Sequence, residues 1–389
     1  ERSKADISTI ISALPTTAIA CSITAFGKEN PWTSRPYSDL TMQALTGYCS
    51  VNGNPGHTPL KEPGTESQFM AGANAFLGLV SALVRRDISS TGQSVDISIL
   101  KTMLSSYGPY LLGALHTQDP RSQQEQGLHF GLVPCKDGYV TMSVRHEPTW
   151  EHLWIFFEDP DFANDPRYDT AAKRRASESE LAEILLPRLS QYTKKELFEG
   201  LSPLRILVGE AQSMEDIFKD EHLRERGALF DYSDGFKMPS SPVKLSETPT
   251  QFRNRAPDPK DCLITGGNVP AAKSKKQSYE STTSSGPLSG LKATVLTQAW
   301  AGAYCTQLLA DLGMDVVQVE SVTRIDPWRG GFPPRLNGLY PDKEPGLRPW
   351  DRNALFNGVN RNKRGITLDL NDHQCKSALI DLVSSSDLF

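Results

Sequence analysis

Apolar positions along this chain follow different rhythms on the two sides of a stretch that has almost none. From residue 288 onward, short apolar runs alternate with helical spacing. Ala293–Leu296 reads as a short buried strand. Ala301–Leu312 places Cys305, Leu308, Leu309 and Leu312 on one helical face, with Gly313 as the stop, and Asp315–Val319 is a second strand ending at Glu320. Strand, helix, strand predicts a βαβ unit and so a parallel sheet. A third strand, Gly365–Leu370, follows the charged run 360–364, and a helix from about Asp372 to Val383 is expected to bury Cys375, Leu379 and Leu382.

Before residue 264 the order differs. Ala18–Ile23 reads as a strand, Gln68–Arg86 as a long buried helix, and Ser94–Ile99 as a short strand or the entry to a helix. Residues 129–262 read as a separate α+β unit. It opens on a hairpin turn at Cys135–Gly138, and amphipathic helices follow near 149–157, 178–191 and 193–200. Between the two halves, residues 264–287 (ITGGNVPAAKSKKQSYESTTSSGP) are rich in Gly, Ser, Thr, Pro and Lys and read as a flexible linker. The expected parts are therefore 1–128, 129–262, a linker at 263–287, and 288–389.

Composition narrows the function classes. At 389 residues the chain exceeds one ordinary core, and 38% hydrophobic with 22% charged residues is usual for a soluble globular protein. A net charge of -5 argues against a nucleic-acid binder, which needs a basic surface. The longest apolar stretch, Phe69–Val84, is interrupted by Gly72, Asn74, Gly78 and Ser81 and is short for a membrane span. The N-terminus carries no apolar signal region and no initiator methionine, so the chain is expected to start inside a longer protein. No two of the six cysteines lie within four residues, and no HxxxH pair exists. No metal site is expected, and the cysteines read as buried small hydrophobes in a reducing compartment.

Two groups of residues carry candidate chemistry. Arg361, Lys363 and Arg364 stand just before a strand, where cations reach a ligand at a sheet edge; as bare composition, the same run is also a solvated charged turn. Arg329 lies in a Gly-rich loop, WRGG (328–331). The turn after the first βαβ strand is Ala299-Trp300-Ala301-Gly302-Ala303. It has one glycine where a dinucleotide fingerprint needs three, and Trp300 is too bulky for close pyrophosphate approach, so a nicotinamide enzyme is disfavoured.

Three sets of motifs together resemble the class III CoA-transferases (CaiB/BaiF type), the family of formyl-CoA transferase, carnitine CoA-transferase and α-methylacyl-CoA racemase. PLSGLKATVLTQAWAGAYCTQLLADLGMDVVQVE (287–320), WRGG and NRNKRGITLDL (360–370) are similar to the family's N-terminal third. AIACSITAFG (18–27), RPYSDLTMQALTG (35–47), FMAGANAFLGLVSALVRR (69–86) and TGQSVDIS (91–98) are similar to its middle third. CKDGYVTMSV (135–144), DPRY (165–168) and PVKLSETP (242–249) resemble the small domain and the return of the chain. Here the N-terminal third comes last. The order implies a tandem fusion, cut so that copy one lacks its start and copy two its end, with circular permutation as the alternative.

The resemblance implies an α/β fold: a Rossmann-like parallel-sheet large domain and a smaller α+β domain, interlocked as a homodimer or within one chain as a pseudo-dimer. It implies CoA transfer between carboxylic acids, with acyl-CoA and an acid as partners. It puts adenosine-phosphate contacts around Asn362, Lys363 and Arg364, and pantetheine or acyl contacts around Gln298 and Ala299. The family's nucleophile is an aspartate four residues before the glycine that opens the long helix. With Gly72 as that glycine, the position is Gln68, whose amide is no nucleophile, and the nearest carboxylate is Glu66. The racemase His-Asp pair falls on Ser38 and Asp39, so the histidine is missing. A silent CoA-binding half, or a racemase, isomerase or lyase, remains the alternative to CoA transfer.

Overall fold

A computed structural model describes residues 11–52, 57–117, 128–144, 147–231, 237–250, 286–330 and 339–389. The chain divides into two compact units, residues 1–125 with 270–389, and residues 126–269. The linker expected over 264–287 lies, up to residue 285, outside the described residues.

In the first unit β1 (Ala20–Thr24) leads through α1 (Asp39–Leu45), α2 (Tyr48–Val51) and α3 (Glu66–Ser89) to β2 (Ser94–Ser98), which pairs with β1 in parallel from Ala20↔Ser94 to Thr24↔Ser98. The segment 94–99 is both things its pattern allowed. The strand ends at Ser98, whose hydroxyl accepts from the Lys101 N–H and so caps α4 (Ile99–Ser106), and α5 (Gly108–Thr117) follows.

The expected buried helix is longer than its apolar core and is mostly not buried. Only Ser67, Ala71, Ala75, Ser81 and Ala82 of α3 are inaccessible. These small residues let the backbone approach closely: at Gly78 an added Cβ would stand 2.9 Å from Val95 of β2. The larger side chains project outward, Phe69 72% and Phe76 67% exposed. Among the described residues, α3 is the one helix long and apolar enough to cross a membrane, with 28% of its most apolar window buried.

The second unit opens on the antiparallel hairpin of β3 (Leu128–Cys135) and β4 (Gly138–Val144), closed by Lys136-Asp137 with Cys135 opposite Gly138, as the turn residues predict. Helices α6 (Glu147–Phe156), α7 (Ala171–Ala176), α8 (Glu178–Leu189) and α9 (Lys194–Leu201) follow, and β5 (Leu207–Glu210) pairs with β4. Leu181, Leu185 and Leu189, four residues apart on α8, join Trp150, Trp154 and Leu197 in the core. Thr193 and Glu196 form a capping box at the start of α9. Short α10 (Met214–Lys219) and α11 (Glu221–Glu225) and the β6 (Leu229–Asp231) and β7 (Lys237–Pro239) hairpin follow.

The chain then returns to the first unit with β8 (Lys292–Val295), α12 (Ala301–Asp311), β9 (Asp315–Glu320), α13 (Ala354–Asn360), β10 (Arg364–Thr367) and α14 (His373–Ser384). The sheet is parallel in the order β10-β9-β8. Leu388 bonds to Lys292 O and Thr294 N in a parallel bridge opposite Ala293, on the edge of β8 away from β9. The connections therefore reverse direction beside β8, and in open α/β sheets the crevice at the C-terminal ends of such strands is where ligands bind.

Two expected faces are corrected. Helix α12 buries Ala303, Thr306, Gln307 and Ala310 rather than Cys305 and the leucines, the two alanines letting it lie close to the sheet. No residue of α14 is fully buried; Cys375, Leu379 and Leu382 are half-covered. Nor are the described cysteines core residues: Cys21 and Cys305 are exposed, and Cys49, Cys135 and Cys375 are intermediate.

Candidate functional site

The loop leaving β8 turns sharply at Ala299, which has φ 57°, and its N–H donates to Asp326 Oδ2 at 3.0 Å. Asp326 also caps the next turn by accepting from the Trp328 N–H at 2.8 Å. Its carboxylate is 2% exposed, and burial pushes its pKa up against the pull of those two N–H groups. Asp326 has no sequence signal beyond an Asp-Pro step, which looks like any polar turn.

Arg329 is engaged on every nitrogen. Its guanidinium meets Glu320, at the end of β9, through Nε at 2.8 Å and through Nη2, and reaches Trp350 O at 3.0 Å and Asp351 at 3.1 Å. It also lies 3.5 Å from the Phe356 ring centroid. Arg329 thus locks the β9 loop to the stretch before α13. Among the described residues, the Gln298 side chain is held by a long 3.4 Å contact from its Nε2 to Arg324 O.

The basic run 361–364 divides. Arg361 forks onto Asp311, Asn362 (φ 63°) donates to the same carboxylate at 2.7 Å, and Arg364 pairs with Asp315. Asp311 ends α12 and Asp315 begins β9, so these side chains lie toward the N-terminal end of the sheet. Lys363 turns the other way. Its ammonium donates to Ala303 O and Asn360 Oδ1, each at 2.8 Å. Burial pushes its pKa down to about 8, against the nearby carboxylates Asp326 and Glu320, which favour the charged form. Of the run, Lys363 is the one whose head lies beside the opening of α12, with Ala299 and Asp326.

Glu66 and Gln68 lie in the first turn of α3, and Gln68 is exposed. Asp39 has a structural task at that turn. It accepts from Ser67 N at 2.9 Å, Ser67 Oγ at 2.6 Å and Gln43 Nε2 at 2.7 Å, with Lys61 at 3.3 Å. Burial raises its pKa, but these donors outweigh burial and hold it below the usual value. Asp39 therefore pins the helix start where a racemase pair would sit.

Both halves of the unit line one cavity of about 550 Å³. Met70, one turn into α3, faces it together with Tyr48, Tyr107, Tyr110, Trp300 and Tyr304. Tyr110 stacks on Trp300 at 5.6 Å, and the Tyr304 hydroxyl meets the Ser105 hydroxyl at 3.3 Å. In the sequence Trp300 is no more than an obstacle to a pyrophosphate, because ring contacts across 190 residues leave no local pattern.

The sequence description of CoA-transferase family III matches residues 12–260 and 288–389. The chain belongs to this family. A probable CoA-transferase of Mycobacterium tuberculosis is 25% identical over 385 residues, 95% of this chain and 46% of that protein. A succinate–glutarate CoA-transferase of Agrobacterium fabrum is 25% identical over 61% of the chain and 62% of its own length. A succinyl-CoA:mesaconate CoA-transferase of Haloarcula hispanica is 30% identical over 61% of the chain and 63% of its length. The chain thus spans between about half and just under two thirds of these relatives. In fold it is similar to a CaiB/BaiF family protein from Brucella suis, with TM-score 0.57 and 22% identity over 64% of this chain and 66% of that one. Mixed α/β structure with parallel sheets is common to the family and to this chain.

Proposed function

We propose that the protein containing this chain transfers CoA between carboxylic acids, taking an acyl-CoA thioester and a free acid as substrates. Family membership over both matched segments carries the reading. We read the chain as tandem: 1–128 and 129–262 from one copy, 288–389 opening another, joined through 263–287. Support comes from the Mycobacterium tuberculosis relative, which aligns along nearly the whole chain in this order while being about twice as long. The length of the full protein separates this reading from a permuted single copy, which would align in the same order. The two copies would interlock within the chain or between two chains.

Lys363 is the residue we assign first to the CoA phosphates, because its ammonium sits at the C-terminal end of the sheet beside the α12 N-terminus. Arg329 supports the same end of the ligand by exchanging carboxylate partners, Asn362 and Arg364 join it only by swinging away from Asp311 and Asp315 at the other end of the sheet, and Gln298 and Ala299 border the pantetheine. In the transfer step an enzyme carboxylate attacks the thioester carbonyl and expels CoA thiolate, giving a mixed anhydride. The thiolate then attacks the enzyme carbonyl and releases the acid, leaving an enzyme–CoA thioester.

Gln68 favours a second reading for this copy alone, that it binds CoA without forming the thioester. The test incubates full-length protein with acyl-CoA, traps with borohydride or hydroxylamine, and maps the modified peptide by mass spectrometry. A label on a carboxylate beyond residue 389 is expected. A label on Glu66 overturns the silent-copy reading, and no label anywhere overturns CoA transfer.

A further inference from the structure

We infer that the aromatic cavity receives the acyl group of the thioester and selects an uncharged aryl-bearing acid over a dicarboxylate. This rests on the CoA-transfer reading and names its substrate class.

Position comes first. Trp300 directly follows Ala299, where the thioester arm is assigned, and Met70 lies two residues beyond Gln68, the position of the family nucleophile. A group bonded to the thioester sulfur between those two points enters the space they wall. At about 550 Å³ the cavity falls within the ~300–1,000 Å³ usual for small-molecule sites.

Chemistry decides the class. Among the described residues, four tyrosines and a tryptophan supply most of the wall, and the others that line it, Val51, Asn52, Met70 and Ser106, are uncharged as well. Tyr48 and Tyr107 meet edge to face at 4.4 Å, while Tyr110 and Trp300 stack at 27°. A planar aryl group extends such an array by the same offset and edge contacts. Burial raises the pKa of both Tyr107 and Tyr110, so this wall already disfavours a negative charge. A second carboxylate placed here would meet no cation among these residues and would exchange its water for ring faces and neutral hydroxyl and amide groups.

The test is calorimetry on the full-length protein with three unreactive ligands: CoA, its phenylpropyl thioether and its carboxypropyl thioether. The phenylpropyl ligand should bind at least about tenfold more tightly than the carboxypropyl one, the scale of a few ring contacts. Tyr110→Ala should remove that preference without changing the affinity for CoA itself. Met70→Arg, with the fold checked by circular dichroism, should reverse it by placing a cation on the wall. Equal affinities, or a carboxypropyl preference in the unaltered protein, overturn the acyl assignment while CoA binding leaves the transfer reading standing. Failure of CoA to bind overturns both.

Discussion

Gly358 gives the sharpest test of the joint between the two ends of the chain. It lies inside α13, and a Cβ there would stand 2.7 Å from Pro109 Cα, 2.8 Å from Pro109 N and 2.9 Å from Pro109 Cγ on α5. The contacting atoms are backbone and a fixed ring, so neither can swing aside. Ordinarily Gly→Ala inside a helix stabilises by about 1 kcal/mol. Here the helices must part by over half an ångström, and overpacking of this kind costs up to about 3 kcal/mol. The expected net effect of Gly358→Ala is a loss of about 2 kcal/mol. Gly72→Ala is the control: it is also helical, but nothing stands within 4 Å of its Cβ, so it should gain about 1 kcal/mol. Urea unfolding, with hydrogen exchange of the α5 and α13 amides read by mass spectrometry, measures both at the joint itself. If Gly358→Ala stabilises as Gly72→Ala does, the close crossing of α5 and α13 is wrong, and with it the union of 1–125 and 270–389 in one unit.

Lys363 has a folded pKa of about 8 against about 10.4 unfolded, so the fold holds fewer protons between those values. Stability of the first unit should rise with pH across that window, and Lys363→Met should abolish the rise in urea midpoints. Phosphate binding should restore the proton, so CoA titrations at about pH 8.5 should show proton uptake when run in buffers of different ionisation enthalpy. Lys363→Ala should weaken CoA at least about tenfold, whereas Arg364→Ala, losing an exposed pair with Asp315, should cost no more than about 1 kcal/mol of stability. Asp39→Ala leaves the buried Ser67 N–H and hydroxyl without their acceptor and should cost about 1–3 kcal/mol in chemical unfolding. The folded pKa of Asp39 is lowered, so its contribution is complete above the unfolded value and is lost as pH falls through the folded one; an acid titration of wild type against Asp39→Asn checks the sign.

Periodicity and turn chemistry are local, and the sequence determined whatever depends on them. Cys135–Gly138 closes a hairpin because its two strands are neighbours in the chain, and Thr193 and Glu196 cap α9 across three residues. The βαβ text from 292 to 320 likewise specifies a parallel pair, and the glycine after α12 marks its end. Helix faces were less legible. Leu308 and Leu309 are apolar, yet Ala303 and Ala310 go inside, because closeness to the sheet favours small side chains and a sequence does not show that distance. The exposed Phe69 and Phe76 show the same limit, since apolar periodicity marks a face without saying what covers it. Only the tertiary structure decided the site. It turned Lys363 toward Ala303 while its neighbours took Asp311 and Asp315, filled Arg329 with Glu320 and Asp351, and set Tyr110 on Trp300 across 190 positions. Each is a choice among several nearby partners, made by backbone geometry that long-range packing fixes and no local spacing encodes.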